Sequence, residues 1–265
     1  MNSIVISLLV VGGCGLVIGL LLGVVGKKFE VEVDEKESAI REALPGNNCG
    51  GCGYPGCDGC AAAIAKGEAP VDACPVGGSA VAKEIGAIMG QAVEETARQV
   101  AFVHCAGDCN VARTDYQYTG IEDCSMMPFV PNGGPKSCNQ GCLGFGSCVK
   151  ACNFDAIHVI NGVAVVDREA CKACKACIKA CPKHLISLVP YDGNPQLVRC
   201  SNDDRGKVVM NACDAGCIGC TKCVRNCPAE AITMNNNSPV IDYDKCVNCG
   251  KCAEGCPKGC IVQAL

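Results

Sequence analysis

Cys217, Cys220, Cys223 and Cys227 follow one another as C-x2-C-x2-C-x3-C, and a proline closes the run. The spacing recurs at Cys171, Cys174, Cys177 and Cys181-Pro182, and again at Cys246, Cys249, Cys252 and Cys256-Pro257. Three thiolates at two-residue gaps can wrap one four-iron cube, while the fourth, on a following helix, reaches a neighbouring cube. That chemistry is one-electron transfer. Cysteine makes up 28 of the 265 residues. Disulfide scaffolds are also cysteine-rich, but they are usually short and secreted. Structural zinc usually takes C-x2-C pairs a dozen or more residues apart. Four cysteines packed as in Cys217–Cys227 and ended by proline favour iron and sulfide over both.

The elements that position these runs come as a repeat. Cys138, Cys142, Cys148 and Cys152 align with Cys213, Cys217, Cys223 and Cys227 at a period near 75, and a second quartet follows in each copy. Apolar runs at 157–160 and 163–166 flank Asn161-Gly162, a type I′ hairpin signal. Each copy reads as strand, cluster loop, helix and strand, an α+β two-cluster ferredoxin-like module in which the last cysteine of each quartet serves the other cluster. The pattern predicts four ligand sets. They are Cys138, Cys142, Cys148 and Cys181; Cys171, Cys174, Cys177 and Cys152; Cys217, Cys220, Cys223 and Cys256; and Cys246, Cys249, Cys252 and Cys227. The first set departs from the rule, because Phe145 stands where the second copy has Cys220. Cys138 is the expected substitute, with a three-iron cluster or an empty site as the alternatives.

Upstream, Cys49, Cys52, Cys57 and Cys74 form C-x2-C-x4-C-x16-C-P among glycines, which predicts a self-contained fifth four-iron site. Cys60 falls on the intervening helix as a non-ligand. Cys105, Cys109, Cys124, Cys200 and Cys213 are left over, and Cys124 and Cys200 occupy matching places in the repeat. Four of these five would make a sixth cluster; buried free thiols are the alternative. Cys14 and Cys260 are expected to be incidental, and His104, His158 and His184 structural or exposed. The expected division is an anchor at 1–28, the four-cysteine domain at 29–80, a connecting region at 81–135, and modules at 136–190 and 191–265.

Net charge is −4, which gives no general case for nucleic-acid binding. Residues 136–184 are nevertheless basic, with 7 basic side chains against 3 acidic, and Lys172, Lys175, Lys179 and Lys183 interleave with a cysteine quartet. Those lysines suit an acidic redox partner such as a soluble ferredoxin. Residues 4–26 carry no charge, and at ~1.5 Å per residue such a helix crosses a ~30 Å hydrocarbon layer. Lys27 and Lys28 follow at once, which predicts a single-pass helix with its amino terminus outside and the cysteine domains in the cytoplasm. Gly12, Gly15, Gly19, Gly23 and Gly26 share one face of that helix and would admit a partner helix. The span holds no charged residue, so ion conduction by this chain alone is not expected. No G-x-G-x-x-G after a strand and no P-loop is present, so neither flavin nor NAD is expected on this chain.

In this order, the apolar amino-terminal run, the Cys49–Cys74 motif and the doubled modules resemble the B subunit of the bacterial Rnf complex, an ion-translocating ferredoxin:NAD⁺ oxidoreductase. The resemblance implies a membrane-anchored chain of the cell membrane that accepts low-potential electrons from ferredoxin and relays them through its clusters. Flavin, NAD⁺ and ion chemistry would fall to other subunits. The alternatives are a ferredoxin-type subunit of a hydrogenase, formate or quinone-linked oxidoreductase, and a zinc- or disulfide-stabilised scaffold.

Overall fold

The computed structural model describes residues 12–24, 34–93 and 97–264. Residues 12–24 form a helix, α1, exposed along its length. A Cβ placed on Gly12, Gly15, Gly19 or Gly23 would meet nothing within 4 Å. Among the described residues no helix is long and apolar enough to cross a membrane. The run expected to do so lies partly outside the described residues, as does Gly26.

Helices α2 (Glu35–Ala43), α3 (Gly56–Ala65) and α4 (Gly78–Met89) form the first packed unit. Asp34 caps α2 by accepting the Lys36 N–H at 2.9 Å, which satisfies one of the helix's unpaired amino-terminal donors. Glu35 and Glu37 in the first turn and Arg41 in the last complement the helix dipole. Each helix contributes one fully buried isoleucine, Ile40, Ile64 and Ile85. Each of these contributes roughly 1.5–3 kcal/mol of burial. Helix α4 straddles the boundary expected at residue 80.

The rest of the chain is two modules built alike. In module one, β1 (Gln99–Val103) pairs antiparallel with β4 (Ile186–Pro190), and β2 (Ile157–Ile160) forms a hairpin with β3 (Val163–Val166). Asn161 and Gly162 take φ of 50° and 74° there, the left-handed pair that a type I′ turn requires. Module two pairs β5 (Gln196–Val198) with β8 (Ile261–Gln263) and β6 (Ile232–Asn235) with β7 (Ser238–Ile241). Short helices α5 (Ser147–Lys150), α6 (Ala176–Ala180), α8 (Lys222–Arg225) and α9 (Lys251–Glu254) follow the cysteine loops, and α7 (Gly206–Ala212) precedes the loops of module two. Strand β1 lies in the stretch expected to be connecting. Its buried Val100, Ala101 and Val103 show why it belongs to the sheet.

Val100, Ile157, Leu185 and Val189 form the core of module one, and Leu197 of β5 joins it, so the two modules share apolar surface. His104 also spans the junction. Its Nδ1 lies 2.7 Å from the Val198 carbonyl and its Nε2 2.6 Å from Ser187 Oγ. Between β1 and the first cysteine loop of module one runs an insertion, residues 104–137, which includes a 3-10 turn over Cys124–Phe129.

Candidate functional site

All four cysteine loops of the modules share one backbone trace. The second and fourth residues after the leading cysteine are left-handed in each: Gly144 and Gly146, Ala173 and Lys175, Gly219 and Thr221, Asn248 and Gly250, with φ from 52° to 78°. For Ala173, Lys175 and Thr221 that conformation costs on the order of 1–3 kcal/mol each and persists only where the surroundings impose it. At Gly144 the need is also steric, since a Cβ there would stand 2.6 Å from the Gly162 carbonyl of the hairpin turn. Gly219 faces Asn237 of the corresponding turn in module two more loosely, a Cβ there standing 3.2 Å from the Asn237 Cβ.

These loops curl around cavities. Cys171, Cys174 and Cys177 line one together with Cys152. Cys246, Cys249 and Cys252 line another with Cys227. The last cysteine of a module's first quartet therefore stands with the second quartet. Cys181 does the converse, lining a cavity with Cys142 and Cys148. Cys217 and Cys220 lie close enough to Cys223 that their charge adds to burial in raising its pKa. Cys260 ties Cys256 to the same group, donating its N–H to Cys256 Sγ at 3.3 Å while its thiol lies beside Cys217 and donates to the Ala215 carbonyl at 3.2 Å. At the same offset, Leu185 and Ala231 donate to Cys181 and Cys227 Sγ at 3.4 and 3.3 Å. Such N–H donors stabilise sulfur as thiolate.

Without metal, burial raises the thiols strongly: Cys148 to about 12, Cys177 and Cys252 to about 11. Loading iron must therefore displace protons. Among the described residues no group of three or more His, Cys, Asp or Glu forms a site for a single metal ion. Their sulfurs stand around cavities, the arrangement a cube needs.

The Phe145 loop keeps the common trace but not the thiol. Cys124 lines its cavity beside Cys142, Cys148 and Cys181, whereas Cys138, the expected substitute, lines a different cavity. Ser147 at the start of α5 fixes Cys124 by accepting its N–H at 2.9 Å and donating to Asp123 Oδ1 at 2.9 Å. Hydrogen bonds from Ser125 and then Ser147 hold the Asp123 carboxyl down at about 2. Phe145 instead packs its ring against Tyr118 of the insertion, centroids 5.8 Å apart. Lys183 lines this cavity, and burial lowers its pKa. Lys136 is also buried, its Nζ donating to the carbonyls of Gly107, Cys142 and Gly162 at 2.7, 2.7 and 3.0 Å. It knits insertion, cysteine loop and hairpin together.

In the four-cysteine unit, the Cys57 N–H donates to Asn48 Oδ1 at 2.7 Å where α3 begins. Cys52, Cys57 and Cys74 surround Cys60, whose thiol burial pushes up to about 12. Cys60, expected to be a non-ligand, lies within hydrogen-bond reach of Cys52, and both are free thiols. Cys49 lies toward Cys174, whose pKa its charge helps to raise. The unit abuts module one at Gly51, where a Cβ would stand 2.9 Å from the Cys174 carbonyl. A wide cleft opens there between Cys74 and Lys172 and Lys175.

Of the leftover cysteines, Cys105, Cys200 and Cys213 join Cys138 on a cavity between the modules. Cys109 is exposed, its N–H donating to the Asn161 carbonyl at 2.9 Å. Cys14 is exposed on α1. The repeat phase matched Cys124 with Cys200. In three dimensions Cys105 matches Cys200, each two residues past its module's first strand.

Sequence patterns also missed Gln196. It is 1% exposed, neither amide atom has a hydrogen-bond partner, and it lines the cavity of Cys246, Cys249 and Cys252. A buried amide left unpaired costs about 1–3 kcal/mol, which an acceptor sulfur within that cavity would offset.

Fold and sites together define an iron–sulfur protein of ferredoxin type, with a four-cysteine unit preceding two modules. Family models agree: the Fe-S cluster family matches residues 44–76, the 4Fe-4S binding domain 164–187 and the 4Fe-4S dicluster domain 216–260. The B subunit of the Na(+)-translocating ferredoxin:NAD(+) oxidoreductase complex of Acetobacterium woodii is 43% identical over 92% of this chain and 73% of its own length. Its counterpart in the ion-translocating oxidoreductase complex of Methanosarcina acetivorans is 41% identical over 92% of this chain and 93% of its own. The corresponding chain of the proton-translocating complex of Clostridium ljungdahlii is 38% identical, over 91% and 85%. The chain belongs to this family, the B subunits of ion-translocating (Rnf) oxidoreductase complexes.

Proposed function

We propose that this chain takes electrons from reduced ferredoxin and relays them within an ion-translocating ferredoxin:NAD⁺ oxidoreductase. The observation that carries the reading is the exchange of the last cysteine between paired loops, Cys152 standing with Cys171–Cys177 and Cys181 with Cys142 and Cys148. Two cubes held by exchanged ligands must be close neighbours, as a relay requires. When bound, four-iron clusters supply reversible one-electron chemistry.

The ligand sets are Cys49, Cys52, Cys57 and Cys74; Cys124, Cys142, Cys148 and Cys181; Cys171, Cys174, Cys177 and Cys152; Cys217, Cys220, Cys223 and Cys256; and Cys246, Cys249, Cys252 and Cys227. Cys124 replaces Cys138 in the second set, on the strength of the cavity it shares. Flavin, NAD⁺ and the coupled ion belong to the other chains of the complex. The uncharged run at 4–26 followed by Lys27 and Lys28 supports a single-pass anchor in the cell membrane. Its glycine face would meet a partner helix, and the modules would lie in the cytoplasm. Ferredoxin docks by the cleft at Lys172 and Lys175, with Lys179 exposed on α6 beside it.

The anaerobically purified chain should be brown and hold about 20 or more irons, and reduced ferredoxin should bleach it. That reaction should slow with added salt and with Lys172→Glu/Lys175→Glu. A colourless zinc protein would end the proposal, and a salt-insensitive rate would remove the docking site from it.

A further inference from the structure

We propose that Cys105, Cys138, Cys200 and Cys213 hold a sixth four-iron cluster at the junction of the two modules, an inference that rests on the relay described above. Each module supplies the same two thiols. Cys105 and Cys200 follow β1 and β5 by two residues and pair with each other in an antiparallel bridge. Cys138 and Cys213 each precede the leading cysteine of a loop by four residues. All four line one cavity, as Cys124, Cys142, Cys148 and Cys181 line theirs.

The sulfurs are set up as acceptors in matching fashion. Cys105 Sγ takes the N–H of Gly107 at 3.4 Å and of Cys142 at 3.3 Å. Cys200 Sγ takes the N–H of Asn202 at 3.5 Å and of Cys217 at 3.3 Å. The buried Asn202 side chain donates its Nδ2 to Cys138 Sγ at 3.1 Å. Repeated donation to buried sulfur suits thiolate ligands; inert thiols in an apolar core need no such partners. Gly107 adds a steric argument, since a Cβ there would contact both Cys213 Sγ at 3.4 Å and Cys105 Sγ at 3.6 Å. The buried Lys136 lines the same cavity and brings positive charge to a site of four thiolates.

Position then gives the site its role. Cys142 and Cys217 belong to the flanking ligand sets of the two modules, and each is one hydrogen bond from the junction. An electron lost by module one crosses here and is gained by module two, with no net change at the junction. Loading the site releases four thiol protons.

The test is iron and sulfide analysis of the full chain, reconstituted anaerobically, with Mössbauer spectroscopy. Wild type should hold about 24 irons. The Cys105→Ser/Cys200→Ser protein should lose about four, and Cys109→Ser none. Gly107→Val, which leaves every cysteine in place, should also lose about four. Wild type holding about 20, with no loss in either junction variant, would overturn the sixth site while leaving the five-cluster relay intact. Wild type without iron would overturn the relay reading itself, and the sixth site with it.

Discussion

Modules one and two each carry the same two loops, yet the first loop of each finds its thiols differently. In module two the chain supplies Cys220 locally; in module one Phe145 stands there and Cys124 arrives from the insertion. The loop around Phe145 nevertheless keeps its left-handed residues at 144 and 146. Backbone shape and ligand identity are thus separable: the curl is local, and the fourth thiol need only reach the same cavity. A second contrast lies on the first strands. Ala101 lines the cavity of Cys171 and Cys174, and its N–H donates to Cys171 Sγ at 3.3 Å. The position four residues before the junction cysteine is Gln196 in module two, which adds a buried amide beside Cys246. Hydrogen bonds to cluster sulfur raise potential, so module two's outer site should be the better electron sink.

The largest effects should come from the ligands that differ. Cys124→Ala should remove about four irons from module one, as Cys220→Ala should from module two, whereas Phe145→Ala should remove none. Cys124→Ala/Phe145→Cys should restore them if the two loops are equivalent; iron analysis that finds no recovery would show that they are not. Next is Lys136→Met, which leaves three carbonyls without their donor and should lower stability by on the order of 2–4 kcal/mol. Urea unfolding that moves less than the Cys109→Ser control would show the insertion to be held by other contacts.

A smaller effect is expected at Gln196. Gln196→Ala makes module two resemble module one and should lower the outer potential by tens of millivolts, given about 59 mV per tenfold change for one electron. An EPR-monitored titration with no shift would remove the asymmetry. The smallest concerns His104, whose pKa burial lowers. A base held neutral stabilises the fold above its unfolded pKa of about 6.5 and loses that contribution as pH falls through its depressed folded value. Hydrogen-exchange protection at β4 and β5, measured against the intrinsic rate at each pH, should therefore fall as pH drops below about 6.5, and His104→Gln should flatten that dependence.

Much of this was legible as spacing. The three proline-ended quartets, the hairpin at Asn161-Gly162 and the repeat of about 75 residues are local patterns, and each has its counterpart in the structure. The connecting region was not legible. It contains β1, whose partner β4 lies more than eighty residues away, and Cys124, whose partners belong to another loop. Matching by repeat phase paired Cys124 with Cys200 because an insertion in one copy breaks the register between them.

The sequence by itself determined the chemistry: which thiols cluster within a loop, where glycine or a left-handed residue must curl the chain, and the family to which the chain belongs. Those are short-range properties, set by residue type and a few intervening positions. Only the tertiary structure decided which distant thiol lines the Phe145 cavity, and which four cysteines line the cavity between the modules. Strand pairing and the buried Lys136 bring them together from loops that no fixed spacing links.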